Sequence, residues 1–187
     1  MRVRASEESA WIALFEYEAD DEPSAVLDVA STTVSLPLRD DLGDPDEWAS
    51  QAARLEDEVY AARAESAPEA VIRELTVQTK FARMRSERGA ALRGLHAYEL
   101  LTQAIRLGPV ALVGVPVELF CELGMEVRAR SPFETTLVSG YWNGYRNYLP
   151  TDAERDRGGY EVDISPFASG SARLVTDAMS ATLNALA

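Results

Sequence analysis

An α/β fold built on a mixed sheet is what this sequence predicts, and three observations predict it. Two early segments are rich in β-branched and aromatic residues. Two middle segments repeat apolar residues at helical spacing, and two later apolar runs are separated by a helix-like stretch. The first kind of segment suits a pleated, half-buried strand, and the 3.6-residue stripe suits a helix that buries one face. The 187 residues are the length of one domain, so residues 1–187 are read as one unit with a single core.

Trp11 to Tyr17 (WIALFEY) and Ala25 to Leu36 (AVLDVASTTVSL) are the strand-like segments, joined by the turn-forming EADDEPS; together they predict an N-terminal hairpin. In the acidic loop that follows, Asp44 suits a helix N-cap, Pro45 its first position and Glu47 the capping-box position. Trp48, Ala52, Leu55, Val59 and Ala62 then form one helical stripe. After Ser66 and Pro68, a second helix is predicted from Glu69 to Arg93, carrying Val71, Ile72, Leu75, Phe81 and Met84. This helical hairpin is expected to pack on the sheet. From Tyr98, YELLTQAIRL and VALVGVP predict two strands around a Gly108-Pro109 turn. Val117 to Arg130 predicts a helix, with Glu118 and Glu122 in its first turns, Arg128 and Arg130 in its last, and Ser131-Pro132 as its stop. Glu134 to Trp142 predicts a strand parallel to VALVGVP, completing a C-terminal βαβ unit. The irregular stretch from Asn143 to Gly170 is too long to be a mere connector and is therefore a candidate functional loop. Ser171 to Ala187 closes the chain as an amphipathic helix with Leu174, Val175, Met179 and Leu183 on its apolar face.

Composition excludes some functions. Asp and Glu number 31 against 18 Lys and Arg, a net charge of -13 that repels phosphate backbones and anionic lipid. Nucleic acid is not an expected partner. No apolar run is long enough to span a membrane, and the first residues lack the apolar core of a signal peptide, which leans the reading towards the cytoplasm. Cys121 is the only cysteine, expected as a buried, inert thiol on its helix; His96, the only histidine, is expected to be structural. The acidic run of Asp40, Asp41, Asp44 and Asp46 lacks the spacing of a calcium loop, and Arg83, Arg85, Arg88 and Arg93 read as a solvated helix face. No GxSxG elbow supports a serine hydrolase.

Loops leaving the ends of adjacent parallel strands converge on one crevice, which puts Glu118 and Tyr148 in view. Taken singly, Glu118 reads as a first-turn glutamate favoured by the helix dipole, and Tyr148 as a half-buried loop tyrosine. The wording of the segment adds more. ALVGVPVELF, then TLVSGYWNGYRNYLPT, then GGYE supply a strand ending in Pro-x-Glu, an Asn-x-Tyr-x-x-Tyr loop, a Thr and a closing Tyr-Glu. In that order and spacing they resemble the C-terminal part of the catalytic domain of the neutral (alkaline, non-lysosomal) ceramidase family of zinc-dependent amide hydrolases. The resemblance runs from Val110 to Glu161, continues loosely into the terminal helix and reaches weakly upstream to Ser35–Leu38.

The resemblance implies a zinc cofactor held by two histidines, a glutamate and a tyrosine, the last two falling on Glu118 and Tyr148. It implies that Asn143, Tyr145, Tyr160 and Glu161 line the substrate pocket, and that the substrate is an N-acyl sphingosine-type or other amide. The histidines and the other catalytic residues belong upstream in that family, and His96 matches neither ligand. The chain is therefore expected to be an incomplete domain whose partner is a missing N-terminal half, and to be inactive alone. An alternative is a non-catalytic α/β module kept for packing or partner binding after losing its metal half. A sugar site on Tyr141, Trp142 and Tyr145 rests only on clustered aromatics.

Overall fold

The computed structural model describes residues 3–5, 15–17 and 26–187. The fold is mixed α/β, as the periodicities predict. Strands β1 (Val3–Ala5) and β2 (Phe15–Tyr17) form a short antiparallel pair, while β3 (Leu27–Pro37) pairs along its whole length with β4 (Ala97–Leu107). The predicted hairpin between the WIALFEY and AVLDVASTTVSL segments is thus corrected: among the described residues, β2 pairs with β1 and β3 with β4. Positions 11–14 and 25 of those segments lie outside the described residues. The register of β3 explains the choice, because Ala30, Val34 and Leu36 reach the same core as Leu100 and Ala104 of β4.

β4 turns at Gly108, which has a φ of 58°, into the antiparallel β5 (Val110–Gly114). From β5 the chain passes through a two-residue strand β6 (Glu118–Leu119) into helix α3 (Cys121–Ala129), and returns as β7 (Thr135–Ser139), parallel to β5. The four-stranded order is β3-β4-β5-β7, so the predicted βαβ unit is present. The helix begins later than predicted. Pro116 and the pairing of β6 hold Glu118 in extended backbone, off the helix altogether. Cys121 is also corrected: it is exposed at the start of α3, and its hydrogen bond to Glu122 raises its thiol pKa.

Helix α6 (Ser171–Asn184) covers one face of the sheet with Val175, Met179 and Leu183, all fully buried; Leu174 is exposed, contrary to the apolar face predicted for it. A buried Thr102–Thr182 hydroxyl contact of 2.8 Å locks β4 to α6, and Arg130 ties α3 to α6 by reaching Asp177 at 2.7 Å. The candidate loop is more ordered than its composition suggests, containing β8 (Tyr148–Leu149), α4 (Asp152–Arg157) and α5 (Tyr160–Ile164).

Helices α1 (Pro45–Ala64) and α2 (Glu69–Leu92) form the expected hairpin. Asp44 caps α1 by accepting the Asp46 N–H, and Asp46 pairs with Arg93 at 3.0 Å across the hairpin base. The expectation that it packs on the sheet is corrected. Ala52, Leu55 and Ala82, flanked by Trp48 and Leu75, make a separate small core, and of α2 only Leu92 joins the main one. Few residues of either helix are fully buried, enough to seal one helix against the other but not to bury a second face. Among the described residues no helix is long and apolar enough to cross a membrane.

Candidate functional site

Beyond β5 the backbone runs through Val115, Pro116 and Val117 to β6, and the loop after β7 folds back along it. Tyr141 N–H donates to the Val117 carbonyl at 3.0 Å, Trp142 N–H to Val115 at 3.1 Å and Arg146 N–H to Pro116 at 2.7 Å. Glu118 N–H in turn donates to the Asn147 carbonyl at 3.0 Å, and Phe120 N–H to Leu149 at 3.3 Å. This zipper bends the loop sharply. Tyr141, Asn143 and Asn147 take left-handed backbone, with φ of 55°, 56° and 79°. Asparagine tolerates that region, and the Asn147 side chain also accepts the Tyr148 N–H at 2.8 Å; a tyrosine there is strained by about 1–3 kcal/mol. Gly140 is required at the crossing, since a Cβ would lie 2.8 Å from the Val117 carbonyl oxygen.

The zipper ends in a parallel pair whose register sets Glu118 opposite Tyr148. Side chains opposite each other in a ladder share a face, so carboxylate and phenol stand side by side. Three more tyrosines gather there. Tyr141 and Tyr145 stack with centroids 5.2 Å apart, and Tyr160 meets Tyr148 edge-on at 6.2 Å. The negative field of Glu118 shows in their acidity. Hydrogen bonding to Glu118 pushes Tyr141 up to about 12, with desolvation adding to it. Desolvation first, and then the Glu118 charge, raise Tyr145 and Tyr148 as well.

The residues named from the sequence do not all converge. Glu118, Tyr145, Tyr148 and Tyr160 come together around one carboxylate. The Asn143 amide instead donates to Gln103 on β4, which also accepts the Trp142 indole N–H at 3.3 Å, so Asn143 anchors the loop to the sheet. Trp142 lies over Gly114, where a Cβ would be 2.4 Å from its ring, and so stands apart from the Tyr141–Tyr145 stack. Glu161 is exposed in the first turn of α5. His96 is exposed just before β4, where its carbonyl accepts the Leu38 N–H at 2.9 Å. Sequence reasoning does not place two neighbours of the cluster beside Glu118. Tyr141 is one, in view only as part of an aromatic sugar site because strand periodicity continues through it. Phe81 is the other; its ring packs edge-on against Tyr160 at 5.7 Å, and nothing in a helix stripe announces a contact with a loop so distant in sequence.

A carboxylate and a phenol are hard oxygen donors suited to part of a zinc shell. Among the described residues no group of three or more His, Cys, Asp and Glu side chains forms a complete one. The donor set therefore fits two positions of a metal site and not a closed site.

No family model matches this chain, and no curated protein matches it. Solved structures of ceramidases are similar to part of it. The neutral ceramidase from Pseudomonas aeruginosa is 22% identical, with a TM-score of 0.43, over 49% of this chain and 15% of that one. A structure described as "Ceramidase complexed with C2" is 24% identical, also with a TM-score of 0.43, over 46% of this chain and 14% of that one. The chain thus spans about one-seventh of the length of these proteins, and at such identities the likeness assigns no role to any of its residues.

Proposed function

We propose that the β6–β8 corner is part of the active site of a zinc-dependent amide hydrolase, with Glu118 and Tyr148 as two of the metal's ligands. The parallel register that sets these two residues opposite each other carries this reading. Zinc bound there would polarise an amide carbonyl and lower the pKa of a bound water. The chain's own residues have definite tasks. Glu118 would supply the negative charge that attracts a cation, and Tyr148 would hold it through its phenol oxygen once the proton is lost. Since that phenol must lose its proton to act as a ligand, metal binding would release a proton and strengthen as pH rises, and the desolvation that raises the phenol would weaken binding at neutral pH. Tyr145 and Tyr160 wall the space beside the carboxylate, and Asn143 holds the loop to the sheet through Gln103. The remaining ligands are histidines supplied from outside the described residues, by a further segment or a partner. The substrate is an N-acyl amide, and the chain alone is inactive. Equilibrium dialysis against zinc, with metal analysis at neutral and alkaline pH, tests the assignment. Weak, pH-promoted binding that disappears in both Glu118→Ala and Tyr148→Phe is expected. Equal zinc in the wild type and the two variants would remove the reading.

A further inference from the structure

A cleft of about 420 Å³ opens between the α1–α2 hairpin and the segment carrying Tyr160. Trp48, Gln51, Gln78, Phe81 and Arg85 line it from the hairpin, and Tyr160 and Asp163 from the other side. Its volume is that of a small-molecule site. It also adjoins the proposed reaction centre, because Tyr160 touches Phe81 on its cleft side and Tyr148 on the other.

The chemistry of its walls restricts the occupant. Arg85 lies with its guanidinium 4.6 Å over the Trp48 ring. Stacking uses the face of a guanidinium and leaves its in-plane N–H donors free, and among the described residues Arg85 forms no ion pair. Gln78 donates its amide N–H to Glu74 at 2.8 Å, which fixes the side chain and leaves its carbonyl oxygen as an acceptor. Asp163 faces the same cleft, but among the described residues it forms no ion pair with Arg85. A long hydrocarbon chain in this cleft would offer no partner to the Arg85 donors or to the Gln78 carbonyl oxygen. A compact ligand with a carboxylate, an amide and an aromatic ring would satisfy them, with Arg85 on the carboxylate, Gln78 on the amide N–H and the ring among Trp48, Phe81 and Tyr160.

We propose that this cleft is a specificity pocket for a carboxylate-bearing amide of the N-acyl amino acid class, presented through Tyr160 to the Glu118–Tyr148 corner. Calling the ligand a substrate rests on the zinc-hydrolase reading; its binding does not. The full chain, isotope-labelled, is titrated with N-acetyl-phenylalanine, N-acetyl-phenylalaninamide and N-acetylsphingosine, following the Trp48 indole resonance. The acid is expected to bind about tenfold more tightly than the carboxamide, and Arg85→Met to erase that difference by weakening the acid alone. Gln78→Leu is expected to weaken both amino acid derivatives. Equal binding of acid and carboxamide, indifference to Arg85→Met, or tighter binding of N-acetylsphingosine at the same resonances would overturn the proposal. The two readings fail separately. Acid binding at Trp48 by a protein that takes up no zinc removes the hydrolase assignment and keeps the pocket, whereas zinc uptake without acid binding removes the pocket and keeps the metal ligands.

Discussion

Glu118 stands among tyrosine hydroxyls, and a fixed negative charge beside a phenol disfavours its ionised form. Tyr141 carries the largest effect, raised from 10.0 to about 12 with the Glu118 hydrogen bond as the leading cause. A group whose folded pKa is raised adds stability at pH values below its unfolded pKa, and that stability is lost as pH rises through the folded one. For Tyr141 the window lies between about 10 and about 12. Replacing Glu118 by Gln removes the charge and nearly preserves the shape. Tyr141 is then expected to titrate closer to 10.0, read from the alkaline phenolate absorbance and assigned by comparison with Tyr141→Phe. An unchanged titration in Glu118→Gln would show that desolvation alone raises the phenol.

At the level of elements, the site depends on one loop laid against one extended segment, and Gly140 is where the two come closest. Gly140→Ala forces a Cβ against the Val117 carbonyl oxygen, a backbone atom that cannot swing away. A loss of about 1–3 kcal/mol in urea unfolding is expected, with the raised titration of Tyr141 lost as the zipper opens; stability within a few tenths of the wild type would show that the crossing relaxes freely. These contacts also mark how far the sequence could be read. Asp44 and Pro45 announced the start of α1, Gly108 the β4–β5 turn, and the spacing of VALVGVP from ETTLVSGYW the parallel pair, because each is a local rule acting on neighbouring residues. Glu118 reads as helical because the acidic residues after Pro116 imitate a first turn, whereas its strand partner, Tyr148, lies 30 residues later in the numbering. A helix running from Val117 would turn Cys121 inward, but α3 begins only at Cys121, which leaves the thiol exposed. Phe81 and Trp48 could not be connected with Tyr160 at all, since no local pattern records which loop a helix face meets.

For the whole molecule, the main division is between two cores of unequal size. The sheet, α3 and α6 share a large one centred on Leu100, Val113, Val175 and Met179, while the α1–α2 hairpin seals little more than Ala52, Leu55 and Ala82. Burial scales with apolar area, so the hairpin has the smaller share of stabilisation per residue. Amides in α1 and α2 are expected to exchange with solvent at lower opening free energy than those in β4 and α6. Met179→Ala is expected to cost about 2–5 kcal/mol and to reduce protection in β4 and α6, leaving the local opening of the hairpin nearly unchanged. Uniform protection across all helices would contradict two cores. The cleft beside Tyr160 lies where these unequal halves face each other, one wall in each. Any molecule held across it must be released before the hairpin can open, so ligand concentration and hairpin opening are linked by mass action. Saturation at about one hundred times the dissociation constant would raise that opening free energy by about 2.7 kcal/mol, and slower exchange confined to α1 and α2 would report occupancy even of a ligand that is never turned over.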